Sequence, residues 1–354
     1  MTTPDLLDCD THFSDHEPGL WAGDAPGAPR VVTHEDRRLL RIGDLLFPKP
    51  TGTGQGNPSG LGHLIGPGHD ADRAPFMAAN GIATAVLQPG FVGLSFQAVP
   101  GPDDRVGLAA RYDELAAQAC AKSELDLRWT ILLSAEDPAW SLAEVHRHRD
   151  DPYLVGATIR PTARTREARL GDPAFTPVLE ALAAHGLALF VHGGTGCHQW
   201  SPLADAYADY TLTHALGHMG EQMIALADLL TRPDGLPEGL RVVMLESGVG
   251  WIPPFLERLD GHVRRLDHGR AVPSAVFAGH VAVAPDPGER YAAWAVRELG
   301  TGNVVFGSDY PHWDTVRAGE WLEAFGELCP RDALRDNTRR FVPRLAEAPG
   351  RGAA

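Results

Sequence analysis

The chain has 354 residues, with 31 Lys and Arg against 46 Asp and Glu, a formal charge of −15. That balance argues against nucleic acid or an anionic membrane as partner, since both need a basic face. Hydrophobic residues at 44% and charged residues at 22% fit a soluble protein with a sizeable core. Cys9, Cys120, Cys197 and Cys329 form no CxxC pair, which fits a reduced compartment. The start "MTTPDLLDCD" has neither a basic n-region nor an apolar h-region, and no apolar run approaches membrane length. A cytoplasmic protein is expected.

Short apolar runs recur along the chain, at 6–13 ("LLDCDTHF"), 82–89, 127–134, 154–161, 187–194, 241–248, 280–286 and 303–309. They lack clean alternation, as expected of parallel strands covered on both faces. The run at 280–286 carries the weakest strand signal. Helix patterns lie at 105–124, 138–149, 173–185, 211–230, 253–266, 289–299, 317–327 and 331–341. Asp137 before Pro138 is a capping signal, and Gly186 is a stop. Eight strands alternating with helices predict an α/β fold, a (β/α)8 TIM barrel forming one domain over 1–354. Residues 14–81, rich in Gly and Pro, predict a long insert between the first and second strands. Leaving from the carboxyl end of strand one, it is expected to lie over the mouth as a lid or subunit contact. "RVVTHEDRRLLRIGDLLF" within it reads as a small hairpin.

In such a barrel the reacting groups come from the carboxyl ends of different strands. Those ends offer Asp10 and His12, Arg160, His192, Glu246 and Asp309. Asp10 and His12 are two apart, so strand alternation puts them on one face. His192 follows Phe190 and Ala188 at that spacing, and Asp309 follows Gly307 and Val305. Taken singly each motif has a bland reading: a buried Asp–His pair, a glycine turn after a strand, an Asp-capped turn. Together, two histidines and two carboxylates form an N/O site suited to one divalent ion, Zn²⁺ first, with Mn²⁺, Fe²⁺ or Mg²⁺ as alternatives. Such an ion lowers the pKa of bound water to about 7 or polarises a substrate. Asp309 is placed to ligate the ion and move a proton. Asp8 reads as structural, low on the strand.

His214 and His218, four apart in "DYTLTHALGHMGEQM", point away from the apolar face set by Leu212, Leu216, Met219, Met223 and Leu226. A surface or interface role is favoured, with substrate contact at the mouth as the alternative. His146 and His148 read as solvated helix residues. His312, three after Asp309, is a candidate for catalysis or substrate contact. Arg160 is a candidate for a substrate carboxylate, against an equal case for a structural salt bridge. Gly193, Gly194 and Gly196 in "HGGTG" lack the Lys-Ser/Thr of a phosphate loop.

The motifs "DCDTHF", "FMAANGIATAVLQPG", "GDPAFTPVLEALAAHGLALFVHGGTG", "RVVMLESGVGWIPPFLERLD" and "VVFGSDYPHWD" together resemble the amidohydrolase-related, metal-dependent barrel family. That family includes aminocarboxymuconate-semialdehyde, resorcylate and carboxyvanillate decarboxylases. The resemblance spans nearly the whole chain. It implies that Asp10, His12, His192 and Asp309 are metal ligands, that Asp309 is also the acid/base, and that the protein forms a homodimer or larger. The resemblance departs at strand six, where the decarboxylases carry a histidine and this chain has Glu246 in "LESGVG".

The expectation is therefore a metal-dependent hydrolase or lyase acting on a small aromatic or carboxylate-bearing molecule, with Asp309, Glu246 and His312 as catalytic groups. A specialised-metabolism cyclase, closing a benzoxazole-type ring, is the first alternative. A hydroxybenzoate decarboxylase is the second. A barrel that has lost its chemistry is the competing class, and retention of all four ligand positions speaks against it.

Overall fold

The structure is a computed structural model that describes residues 5–15, 29–50, 55, 69–165, 167–194, 201–206, 208–266 and 269–346. Residues 16–28, 51–54 and 56–68 of the expected insert, together with Gly196 and Cys197, lie outside the described residues.

Seven parallel strands follow one another around a curved sheet: β1 (Leu6–His12), β5 (Ile82–Gln88), β6 (Leu127–Leu132), β7 (Leu154–Ile159), β8 (Ala188–His192), β9 (Val242–Leu245) and β10 (Val281–Val283). The expected eighth strand closes the ring. It pairs through isolated parallel bridges, Val304 with Val283 on one side, and Phe306 with Asp8 and Tyr310 with Thr11 on the other. The weak run at 280–286 is a strand, shortened to three residues. The helices lie outside, as the crossover rule for parallel strands requires. Two helices had no clear sequence signal, His69–Asn80, which contains Pro75, and Pro273–His280.

Two apolar layers hold the fold. Leu7, Cys9, Val86, Phe190, Val243, Leu245 and Val305 fill the barrel interior, and Phe341, Val342 and Leu345 from the end of the last helix join the same cluster. Leu87, Leu189, Met244 and Phe306, on alternate positions, pack in the larger cluster with Trp129, Phe175 and Trp321. Each strand thus buries both faces, which is why its sequence shows no alternation.

The insert contains a three-stranded antiparallel sheet, β2 (Arg30–His34), β3 (Arg37–Ile42) and β4 (Leu45–Phe47), rather than a two-stranded hairpin. It packs against the segment after β5. The Asp44 N–H donates to the Ala98 carbonyl, and the Phe47 and Phe91 rings lie 3.5 Å apart. At Gly43 φ is +52°, and an added Cβ would sit 2.9 Å from Val99 Cα. That close approach needs glycine.

Candidate metal centre and substrate pocket

Strand β1 is buried throughout, yet it carries three ionisable side chains, Asp8, Asp10 and His12. Leu7 and Cys9 already face the barrel interior, so strict alternation would turn His12 outward. A register shift between Asp8 and Thr11 inserts an extra residue and re-phases the strand. His12 then shares the interior with Asp10. Bulges of this kind re-aim side chains next to active sites. Asp8 stays behind as a staple of the barrel seam, its Oδ1 accepting the N–H groups of Ser308 and Asp10 at 3.0 and 3.1 Å.

Two further backbones are bent to the same purpose. Glu246 and Asp309 adopt positive φ, 53° and 57°, at the ends of the sixth and eighth strands. Non-glycine residues pay for this conformation, and such strain clusters at functional sites. Gly248, also left-handed, lies against Glu289, whose Oε2 accepts the N–H groups of Val249 and Gly250. Glu289 therefore braces the turn that presents Glu246.

The side chains so placed converge. His12 Nε2 lies 3.0 Å from Asp309 Oδ1, 3.6 Å from Asp10 Oδ1 and 3.9 Å from Glu246 Oε1. His192 Nε2 lies 3.2 Å from Asp10 Oδ1, and the His12 and His192 rings meet edge-on at 4.9 Å. Ligand atoms of Asp10, His12 and His192 lie within 4.8 Å of one another, as do those of His12, Glu246, Asp309 and His312.

The tautomers are set from outside. His12 Nδ1 is 2.7 Å from the Pro89 carbonyl and His192 Nδ1 is 2.7 Å from the Gly193 carbonyl, so each Nδ1–H donates there. Each Nε2 is left facing the carboxylates. This is the arrangement in which a histidine offers its lone pair to a metal. His12 Nε2 is buried and makes no hydrogen bond. Burial, with His312 and His192 nearby, drives the His12 pKa down to about 3, so its lone pair is free at neutral pH. At His192 burial opposes the charge, but Glu246 and Asp10 overcome it and raise the pKa to about 9. Carboxylates that hold a proton so firmly hold a cation in the same way. The donor set fits a divalent ion.

Around this box stand the groups that move or steer protons. Burial raises the Asp309 pKa to about 6 against the pull of His312. His312 Nδ1 sits 2.6 Å from Asp309 Oδ1 and 3.4 Å from Glu246 Oε1, and its ring stacks on His12 at 4.0 Å. Glu246 is also 3.5 Å from His218 Nδ1, which itself lies 3.0 Å from the Glu246 carbonyl oxygen.

A cavity of about 200 Å³ opens onto this cluster, lined among others by Asp10, His214, His218, Glu246, Asp309 and Asp314. The structure thus brings His214 and His218 to the mouth, where a surface or interface role had been favoured. The reason is a π-helical turn over Thr213–Gly217. A helical wheel drawn at α pitch misjudges the facing of residues beyond such a turn. The two rings lie 4.4 Å apart, and His214 also pairs with Asp314 at 3.4 Å. His148 is another departure, since it packs edge-on against Trp129 and pairs with Glu144.

Arg160 is placed differently from the rest. Its guanidinium is buried, pairs with Glu221 at 3.4 Å, and donates to the carbonyls of Gly194 and Leu94. It lines a separate cavity with Pro161, Thr162 and Asp228. The structural salt bridge is what the geometry shows, and substrate binding by Arg160 gains nothing from it. The glycines of "HGG" serve packing: a Cβ on Gly194 would meet Arg160 at 2.6 Å, and one on Gly193 would meet His218 at 3.3 Å. Sequence reading missed Asp15 and Arg73. Asp15 accepts the N–H groups of Val92 and Gly93, and Arg73 donates to the His12 carbonyl at 2.6 Å. Both hold the backbone beside the site, a role without a local motif.

The fold and the site define an amidohydrolase. The family's sequence model matches residues 7–344, and the chain belongs to that family. It is 24% identical over 287 residues to a gamma-resorcylate decarboxylase of Rhodococcus jostii (strain RHA1), covering 74% of this chain and 83% of that protein. Among solved structures it is similar to an amidohydrolase of Mycobacterium avium subsp. paratuberculosis K-10, at 16% identity and a TM-score of 0.73, over 98% of both chains. It is also similar to a 5-carboxyvanillate decarboxylase of Novosphingobium aromaticivorans DSM 12444, complexed with manganese and 4-hydroxy-3-methoxy-5-nitrobenzoic acid. There the identity is 21% and the TM-score 0.63, over 81% of this chain and 85% of the other. Among the described residues no helix is long and apolar enough to cross a membrane.

Proposed function

We propose that the protein is a divalent-metal-dependent lyase that removes carbon dioxide from a small hydroxy-aromatic acid. The observation that carries the metal site is the buried, unbonded His12 Nε2 facing Asp309 and Asp10. The decarboxylase relatives supply the reaction class. Asp10, His12, His192 and Asp309 would hold the ion. Two imidazoles and two carboxylates suit Zn²⁺, and Mn²⁺ is the ion of the similar 5-carboxyvanillate decarboxylase. When bound, the ion supplies Lewis-acid polarisation of the substrate's oxygen atoms.

The chain does the rest. Asp309, bonded to His312, would give a proton to the ring carbon that bears the carboxyl group. The bond from that carbon to the carboxyl breaks as the new C–H bond forms, and carbon dioxide leaves. His312, shared between Asp309 and Glu246, orients the donor and returns its proton. The exposed Trp313 ring lies 5.6 Å from that of His214, and the Phe91 ring 6.3 Å from that of His312. The insert, which reaches the mouth where the Tyr210 N–H donates to the Gln55 carbonyl, would act as the lid.

One observation favours a second reading. Glu246 lines the cavity with a carboxylate that is 13% exposed, where a general base for hydrolysis would stand. The ring-closing alternative falls behind both, because the relatives of known reaction named above are decarboxylases. Purified protein loaded with Zn²⁺ or Mn²⁺ and offered hydroxybenzoates should release carbon dioxide. Ester or amide cleavage without carbon dioxide release would establish the hydrolytic reading instead. Light scattering on the same preparation reads the expected homodimer or larger assembly.

A further inference from the structure

Among the described residues three groups of side chains bring metal-ligating atoms within 4.8 Å of one another. Two belong to the box at the strand ends. The third, Asp113, Glu144 and His148, lies on the outer side of β6, and none of its residues lines either cavity described above. Asp113 comes from the helix Pro102–Lys122. Glu144 and His148 lie four apart on the helix Pro138–His148 and so share one of its faces. Asp113 Oδ1 accepts the Leu132 N–H at 2.9 Å, and the His148 ring meets Trp129 edge-on at 5.1 Å. Strand β6 therefore holds one donor from each helix in place.

Two of the three donor residues keep a ligand atom without a hydrogen bond. Asp113 is fully buried, and its Oδ2 has no partner. His148 Nε2 is buried and has none either, although it stands 3.4 Å from Glu144 Oε2, because the two are not aligned for one. Donors that share one ion at about 2.1 Å in a tetrahedral arrangement stand about 3.4 Å apart and need no such alignment. An imidazole Nε2 buried unbonded among carboxylates is also how His12 is presented.

Charge points the same way. No lysine or arginine pairs with Asp113, and the half-exposed Arg147 divides itself between Glu144 at 3.4 Å and Glu114 at 3.0 Å. Burial pushes the Asp113 carboxyl well above the usual carboxylate range, against the Leu132 N–H, and Glu144 adds to the rise. A carboxyl so placed takes up either a proton or a cation. A proton on Oδ2 would find no acceptor, whereas an ion satisfies Oδ2 and His148 Nε2 together.

We propose that Asp113, Glu144 and His148 bind a Zn²⁺ ion that ties the two helices together outside the barrel. One imidazole and two carboxylates suit that ion, with water in the fourth position. The side chain of His148, 13% exposed, marks its way in. With three protein donors against four in the first box, this is the weaker site, filled from added zinc rather than carried through purification.

The test is equilibrium dialysis of the untagged, full-length protein against about 0.1 mM Zn²⁺, with bound metal counted by elemental analysis. Wild type should hold about one ion per chain more than His148→Gln or Asp113→Asn, whatever the first box contains. Added zinc should also raise the wild-type melting temperature by a few degrees beyond the rise in either variant. Circular dichroism checks that each variant folds, and Glu144→Gln replaces one that does not. Equal counts in wild type and any folded variant overturn the inference and leave a buried water between the helices. Because the readout is a difference between variants, the lyase reading stands or falls separately.

Discussion

The His312 imidazole couples two carboxylates from different strands, standing 2.6 Å from Asp309 and 3.4 Å from Glu246. In the proposed mechanism Glu246 acts through His312. Replacing Glu246 with Gln keeps the shape and removes the charge. Turnover is expected to fall about a hundredfold or more, while metal content stays stoichiometric. A variant that loses its metal would instead make Glu246 a ligand.

Removing the ion should cost stability as well as activity, because the folded state alone assembles the site. Chelation is expected to lower the melting temperature by several degrees, reversibly on adding Zn²⁺ or Mn²⁺. In Asp10→Ala and His192→Ala that chelator-dependent shift should nearly vanish, with substoichiometric metal by elemental analysis. A shift of wild-type size in either variant would remove that residue from the ligand set.

Asp15 supplies a pH signature away from the box. Burial raises its pKa to about 7 from 3.8, against the N–H groups that favour the charged form. The folded protein thus holds this proton more tightly than the unfolded chain. Its contribution is fully present below about pH 4 and is lost as pH rises through about 7. Between those limits it amounts to up to roughly 4 kcal/mol. Asp15→Asn loses hydrogen bonds at every pH, so the variant is less stable at pH 5. Denaturant melts should show the gap to wild type narrowing by pH 8. A gap independent of pH would remove Asp15 as the titrating group.

Gly248 tests the brace under Glu246. At φ +63° any other residue is strained, and a Cβ there would overlap the Glu289 carboxylate. Gly248→Ala should destabilise by about 1–3 kcal/mol and lower turnover by tenfold or more, since the turn that aims Glu246 must shift. Turnover unchanged in a folded variant would show that Glu246 needs no such aim.

The strands are legible because each buries both faces, and the four candidate ligands because the first, fifth and eighth strands end in polar residues that have no place in a core. The same reading failed where geometry departs from ideal periods. The β1 bulge between Asp8 and Thr11 leaves no mark in "LLDCDTHF", yet it decides that His12 faces inward. The π-turn before His218 is likewise silent in "THALG". Helix His69–Asn80 was hidden by its internal Pro75 and by the glycines before it. Asp15 and Arg73 act on backbone groups far away in sequence, and only the closed barrel brings those groups to them.

The seam between the first strand and the eighth ties closure of the barrel to completion of the donor set. Asp8 grips the Ser308 N–H, and His12 meets Asp309, across nearly the whole length of the chain. A nascent chain that has emerged only through β10 holds Asp10, His12 and His192 without their closing partner. Ring closure and completion of the donor set therefore depend on the same segment, so a product lacking the eighth strand would carry neither a finished wall nor a finished candidate site.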